Sequence, residues 1–135
     1  MSEQANVSKL QEMYAAFSRG DVDTILRNVT DDCDWGTESV IASAVPWYIV
    51  RYGREGVGDF FSTLASEVDF QSFVPSVFAG TGDRVFVKLD YEYKFRKNGR
   101  SAATGAVHEF TFRDGNVARF RAYEDTAAVK EGYSA

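Results

Sequence analysis

Among 135 residues there is one histidine and one cysteine, alongside 20 acidic residues and 7 tyrosines. Cys33, standing alone, excludes an intrachain disulfide, and with His108 as the sole imidazole the usual zinc ligand sets cannot be assembled. No metal ligands are therefore assigned. The phosphate loop G-x-x-x-x-G-K-[ST] is missing, and Gly80-Thr81-Gly82 lacks the third glycine and following helix of a dinucleotide fingerprint. No G-x-S-x-G nucleophile elbow occurs either. What remains is acid–base chemistry without a cofactor, or plain binding, carried by His, Asp, Glu and Tyr among aromatic rings. A carboxyl placed among such rings loses its hydration, so its pKa rises towards neutrality unless a cation is near. A buried imidazole, with a reference pKa of about 6.5, can trade a proton with it or donate to a developing oxyanion. Positioned groups of this kind are worth roughly 10²–10⁴-fold in rate, enough for enolisation, cyclisation or dehydration.

The elements that must position these groups fall in two halves. Val7, Leu10, Tyr14 and Phe17 recur at spacings of 3, 4 and 3, which predicts a first helix ending at Gly20. Asp21 then caps a second helix burying Val22, Ile25, Leu26 and Val29, which the polar turn Thr30-Asp31-Asp32 closes. A short strand through Cys33, Asp34 and Trp35 follows. Residues 36 to 52 read as a loop folded over something apolar, because Trp47 and Tyr48 sit side by side in it. After Gly53-Arg54-Glu55-Gly56 a third helix presents Val57, Phe60, Phe61 and Leu64.

The period then changes from 3.6 to 2. An extended stretch with Val68, Phe70 and Phe73 is bent or interrupted by Pro75. Val85, Val87, Leu89, Tyr91, Tyr93 and Phe95 alternate with polar or outward residues, the cleanest strand pattern in the chain. Asn98-Gly99 and Asp114-Gly115 close hairpins around a strand from about Ala102 to Arg113 and another from Val117 to Glu124. A brief helix spans Thr126 to Glu131. The result is one α+β domain over residues 1–135, with helices packed on one face of a curved, mainly antiparallel sheet.

Parity places the candidates. His108 shares a face with Phe110 and Phe112, and Glu124 shares one with Phe120 and Ala122, so both are carried inward. Arg119, Arg121 and Tyr123 point outward. Asp125, at the strand's end, can turn either way.

Several segments together resemble the SnoaL-like branch of the NTF2-like superfamily: Phe17-Ser18-Arg19-Gly20-Asp21-Val22-Asp23, then Thr30-Asp31-Asp32-Cys33-Asp34-Trp35, then His108 through Val117, and Tyr123-Glu124-Asp125-Thr126-Ala127-Ala128. The resemblance implies a cone-shaped α+β barrel with an apolar pocket inside and a homodimer through the sheet's outer face. It implies the inner tyrosine of ketosteroid isomerase at Tyr14 and that enzyme's protonated oxyanion-hole aspartate at His108. The isomerase's base would fall near Thr37, beside Glu38, so that base is absent or displaced here. Asp125 sits where SnoaL-type polyketide cyclases carry their acid–base aspartate.

These readings give Asp125, His108 and Tyr14 as the catalytic candidates for an isomerase, cyclase or dehydratase acting on a cyclic or polyketide-like compound. Trp35, Trp47, Tyr48 and Phe61, with Tyr91, Phe110, Phe120 and Glu124, are the candidate ligand-binding residues for an apolar small molecule. Blander roles stand beside them: His108 as a core histidine bonded to Tyr91 or a carbonyl, Asp125 as a helix cap, Glu38 as an exposed carboxylate. Two other functions stay open, a non-catalytic binding protein and a dimerising module whose interior is filled by its own rings. A net charge of −5 with no basic stretch argues against nucleic acid. The segment Met1-Ser2-Glu3-Gln4-Ala5 lacks a signal-peptide layout and no run approaches a membrane span, so no membrane association and a cytoplasmic location are expected.

Overall fold

A computed structural model describes residues 2–135. Ser2 opens α1 (Glu3–Ser18) by accepting from the backbone N–H of Ala5 at 3.0 Å. The helix buries Val7, Leu10, Met13 and Ala16 most deeply, which leaves Tyr14 and Phe17 at the edge of the apolar stripe. Gly20, at φ +72°, ends it, and Asp21 caps α2 (Val22–Arg27) by accepting from the N–H of Thr24.

Val29 and the polar Thr30-Asp31-Asp32 are not a helix end and a turn; they belong to β1 (Val29–Thr37). This strand pairs in parallel with β6 (Asn116–Glu124), and its register shifts between Val29 and Asp34. The acidic residues are accommodated because that stretch faces water, with Asp31 paired to Arg54 and Asp32 to Arg113. Two short 3₁₀ turns, Ala42–Ala44 and Pro46–Tyr48, occupy the predicted loop, and the second drives Trp47 and Tyr48 into the core. After β2 (Arg51–Tyr52), α3 (Gly53–Glu67) buries Val57, Phe61 and Leu64.

The remaining strands are β3 (Val68–Thr81), β4 (Arg84–Phe95) and β5 (Ser101–Arg113), and α4 (Thr126–Ser134) closes the chain. The sheet order is β2-β1-β6-β5-β4-β3, antiparallel throughout except for β1 against β6. Its two ends do not meet, so the expected barrel is an open one. Pro75 does not end β3. The register shifts on either side of it, and an edge strand loses little by lacking one donor. Asp114 and Gly115, both at positive φ, make the tight turn between β5 and β6. Alternate residues of β4 and β5 are buried as the period-2 pattern requires, Val85 to Phe95 on one and Ala102 to Phe112 on the other. Helices α1 and α3 lie over this inner face.

Two apolar clusters result. One gathers Leu10, Trp35, Val57, Phe110 and Phe120; the other gathers Trp47, Tyr48, Leu64, Tyr91 and Phe95. Tyr14, Phe17 and Phe60 touch both. Among the described residues no helix is long and apolar enough to cross a membrane.

Candidate active site

Where the two clusters meet, the packing does not close. A cavity of about 100 Å³ remains, walled by α1, α2, α3, the second 3₁₀ turn and the inner faces of β1, β3, β4, β5 and β6. It lies between Tyr14, Trp35, Trp47 and His108, so the interior is not filled by its own rings. Trp35 stacks on Phe120 with centroids 4.2 Å apart, and Phe110 and Phe61 complete that end of the wall. Ala122, buried between His108 and Thr37 in register, supplies a small side chain where a larger one would fill the space.

Two polar centres break the apolar lining. The first joins α1 to β5: the Tyr14 hydroxyl and His108 Nδ1 lie 2.6 Å apart, with the rings nearly parallel. Burial pushes the His108 imidazole down to about 3 and the Tyr14 phenol well above its ordinary value, so both are neutral at physiological pH. The Tyr14 hydroxyl has no other partner among the described residues, and it donates to Nδ1 in the tautomer that carries the imidazole proton on Nε2. Among the described residues no group bonds Nε2, and the His108 ring lines the cavity.

The second centre is Glu124, at the end of β6. Its carboxyl accepts from the hydroxyls of Tyr48 (2.5 Å), Tyr93 (3.3 Å) and Tyr91. Desolvation raises its pKa, and the three phenols oppose that rise by favouring the ionised form. The same carboxylate, with burial, pushes all three tyrosines upward, so they stay protonated donors. Glu124 belongs to no ion pair among the described residues. Since Ala122 faces His108 and Ala106 faces Glu124 across the β5–β6 ladder, the two centres are next neighbours on one face of the sheet.

Asp125 does not join them. It is exposed, and its side chain accepts from the N–H of Ala128 at 3.1 Å as the N-cap of α4. β6 ends with Glu124 facing in, so the next residue faces out and becomes the cap. Tyr48 also lies outside the cavity wall; it is fully buried behind Glu124 and reaches the site only through its hydroxyl. The other expected lining residues, Trp35, Trp47, Phe61, Tyr91, Phe110, Phe120 and Glu124, all face the cavity. His108 bonds Tyr14 rather than Tyr91 or a carbonyl. Further lining residues are absent from the sequence-derived site candidates; among them Phe70, Phe73 and Tyr93 fall on the inner face of β3 and β4.

The outer face holds a separate arrangement. Arg121 points outward as predicted yet is buried, because its guanidinium pairs with Asp34 at 2.7 Å and lies 3.9 Å from Glu38. Among the described residues no group of three or more His, Cys, Asp or Glu converges as a metal site would require.

Residues 10–120 match the family model of the SnoaL-like domain. In structure the chain is similar to an NTF2-like protein of unknown function from Burkholderia pseudomallei, at 26% identity over 100% of both chains and a TM-score of 0.88. An NTF2-like protein from Burkholderia xenovorans matches at 24% identity over 98% of each chain, with a TM-score of 0.87. TerC, crystallised with polyporic acid, matches at 25% identity over 97% of this chain and 99% of its own, with a TM-score of 0.82. No curated protein matches in sequence.

Proposed function

This chain belongs to the SnoaL-like family, and from that premise we propose that it is an acid–base enzyme acting on a cyclic apolar compound held in its cavity. In this reading Glu124 takes the role first assigned to Asp125. Its carboxylate removes a proton from carbon beside a carbonyl, and the electron pair of that C–H bond moves onto the carbonyl oxygen. His108 Nε2–H donates to the oxyanion so formed. Tyr14, donating into Nδ1, draws density from the ring and makes Nε2–H the stronger donor. Returning the proton from Glu124 to a different carbon completes an isomerisation; if instead the enolate electrons re-form the carbonyl and expel a β-hydroxyl, which takes the proton back from Glu124 and leaves as water, the result is dehydration. The observation that carries the reading is the pair itself, a desolvated carboxyl and a neutral imidazole N–H on adjacent strands of one apolar cavity. The co-crystal of TerC with polyporic acid lends support, since a relative of this fold has been crystallised with a small organic molecule.

The test is hydrogen–deuterium exchange at the enolisable carbons of 2-tetralone in D2O, followed by NMR. Acceleration over buffer that is lost in Glu124→Gln supports the assignment; exchange at the buffer rate defeats it.

A second reading, retention of a ligand without turnover, rests on one feature: three phenols already occupy the Glu124 carboxyl. It expects binding of the ketone with no exchange. Pairing of two copies through the outer face is part of the same proposal. Val77, Val107 and Tyr123 stand exposed there on strands β3, β5 and β6, joined across Lys88 of β4. Light scattering of the purified chain decides between monomer and dimer.

A further inference from the structure

The cavity wall carries one carboxyl and one imidazole, but no lysine or arginine. The cations nearest in register, Lys88 of β4 and Arg119 and Arg121 of β6, alternate with inward residues and occupy the opposite face of the sheet. Two of them already have carboxylate partners, Lys88 with Asp90 and Arg121 with Asp34. His108 offers a single neutral N–H donor. The ligand's polar end is therefore met by the His108 N–H, the Thr37 hydroxyl and one acidic group, and the rest of its surface by rings and aliphatic side chains.

An anion entering this space would surrender its hydration and find no opposite charge. It would also share a low-dielectric volume with Glu124, whose own oxygens already draw on the three phenol donors. An uncharged carbonyl suffers neither penalty, and its oxygen suits the His108 Nε2–H. We infer that the cavity takes uncharged carbonyl compounds and rejects carboxylates of the same shape, with Glu124 enforcing the choice. This rests on the placement of Glu124 and His108 in the proposed site, though not on any turnover there.

An isosteric pair tests it. 2-Acetonaphthone and 2-naphthoate share a ring system and differ in the charge of the group it bears. Their affinities are measured by calorimetry at pH 7.5 with the full chain and with Glu124→Gln. The ketone should bind the full chain at least tenfold more tightly than the carboxylate. In Glu124→Gln the ketone should still bind, which also reports an intact cavity, and the gap should narrow because the carboxylate gains. Equal or tighter binding of 2-naphthoate by the full chain overturns the inference, as does a gap untouched by the substitution. If neither compound binds, the inference and the cavity reading fall together. Ketone selectivity without deuterium exchange in 2-tetralone defeats only the enzymatic reading.

Discussion

Glu124 and Asp125 are consecutive, yet their carboxylates take different partners: one accepts from three tyrosines at the cavity, the other from the backbone N–H of Ala128 in the exposed first turn of α4. The two substitutions therefore separate. Glu124→Gln should reduce proton exchange by roughly 10²–10⁴-fold with folding intact. Asp125→Ala should leave exchange unchanged and cost about 1 kcal/mol through the lost cap. Exchange rates and urea midpoints of both variants check the separation.

Tyr14→Phe keeps the ring against Phe73 and Phe78 but removes the donor to His108 Nδ1. A stability loss of about 0.5–1.5 kcal/mol follows from the missing bond. The tautomer it fixed is then free to change. Because His108 is the only histidine, the ¹⁵N shifts of one imidazole report the tautomer directly: the wild type should show Nε2–H with Nδ1 accepting, and an Nδ1–H pattern in the wild type would contradict this.

Acid should destabilise the protein through His108. Its folded pKa lies near 3, below the 6.5 of a free imidazole, so the unfolded chain binds a proton that the folded one refuses. Stability from this group is fully present above pH 6.5 and is lost as pH falls towards 3, at up to about 1.4 kcal/mol per pH unit. Glu124 acts with the other sign: its folded pKa is raised, so its contribution falls as pH rises from 4.5 through the folded value. Urea unfolding of the wild type and His108→Asn across pH 7 to 4 should show the steeper decline in the wild type.

Ala122→Leu should close the cavity, since Ala122 is the small residue between Thr37 and His108. Overpacking costs about 1–3 kcal/mol, and 2-acetonaphthone should no longer bind in calorimetry.

Cys33 is fully buried, and desolvation with the neighbouring Asp34 and Asp32 pushes its thiol up to about 12. A thiol-specific reagent should react with it only on unfolding, so labelling kinetics in urea offer a probe of global opening.

The inner face of the sheet was legible before any coordinates. Strand parity alone put His108 beside Phe110 and Phe112, carried Glu124 inward with Phe120, and turned Arg119, Arg121 and Tyr123 outward. Parity is local, however, and the partners of these groups are not. The tyrosines that hold Glu124 sit 76, 33 and 31 residues away, on a 3₁₀ turn and on β4, and no spacing rule joins them. At Asp125 alternation gives no answer, for a related reason. At the junction of strand and helix, the strand's alternation and the helix's need for a cap both act on one residue, and the backbone geometry decides. The Thr30-Asp31-Asp32 stretch has the polar composition of a turn, whereas pairing of Val29 and Asp34 with β6 on either side and ion pairs to Arg54 and Arg113 hold it extended.

The edge strand β3, with Pro75 in its middle and a register shift on either side, presents an interrupted row of donors and acceptors to the outside. Another chain's strand laid along it would meet a missing N–H and a changed spacing, and could not continue the ladder. The exposed Val74 and Val77 thus flank a break in the edge, and removing that break with Pro75→Val should make the rim more prone to self-association.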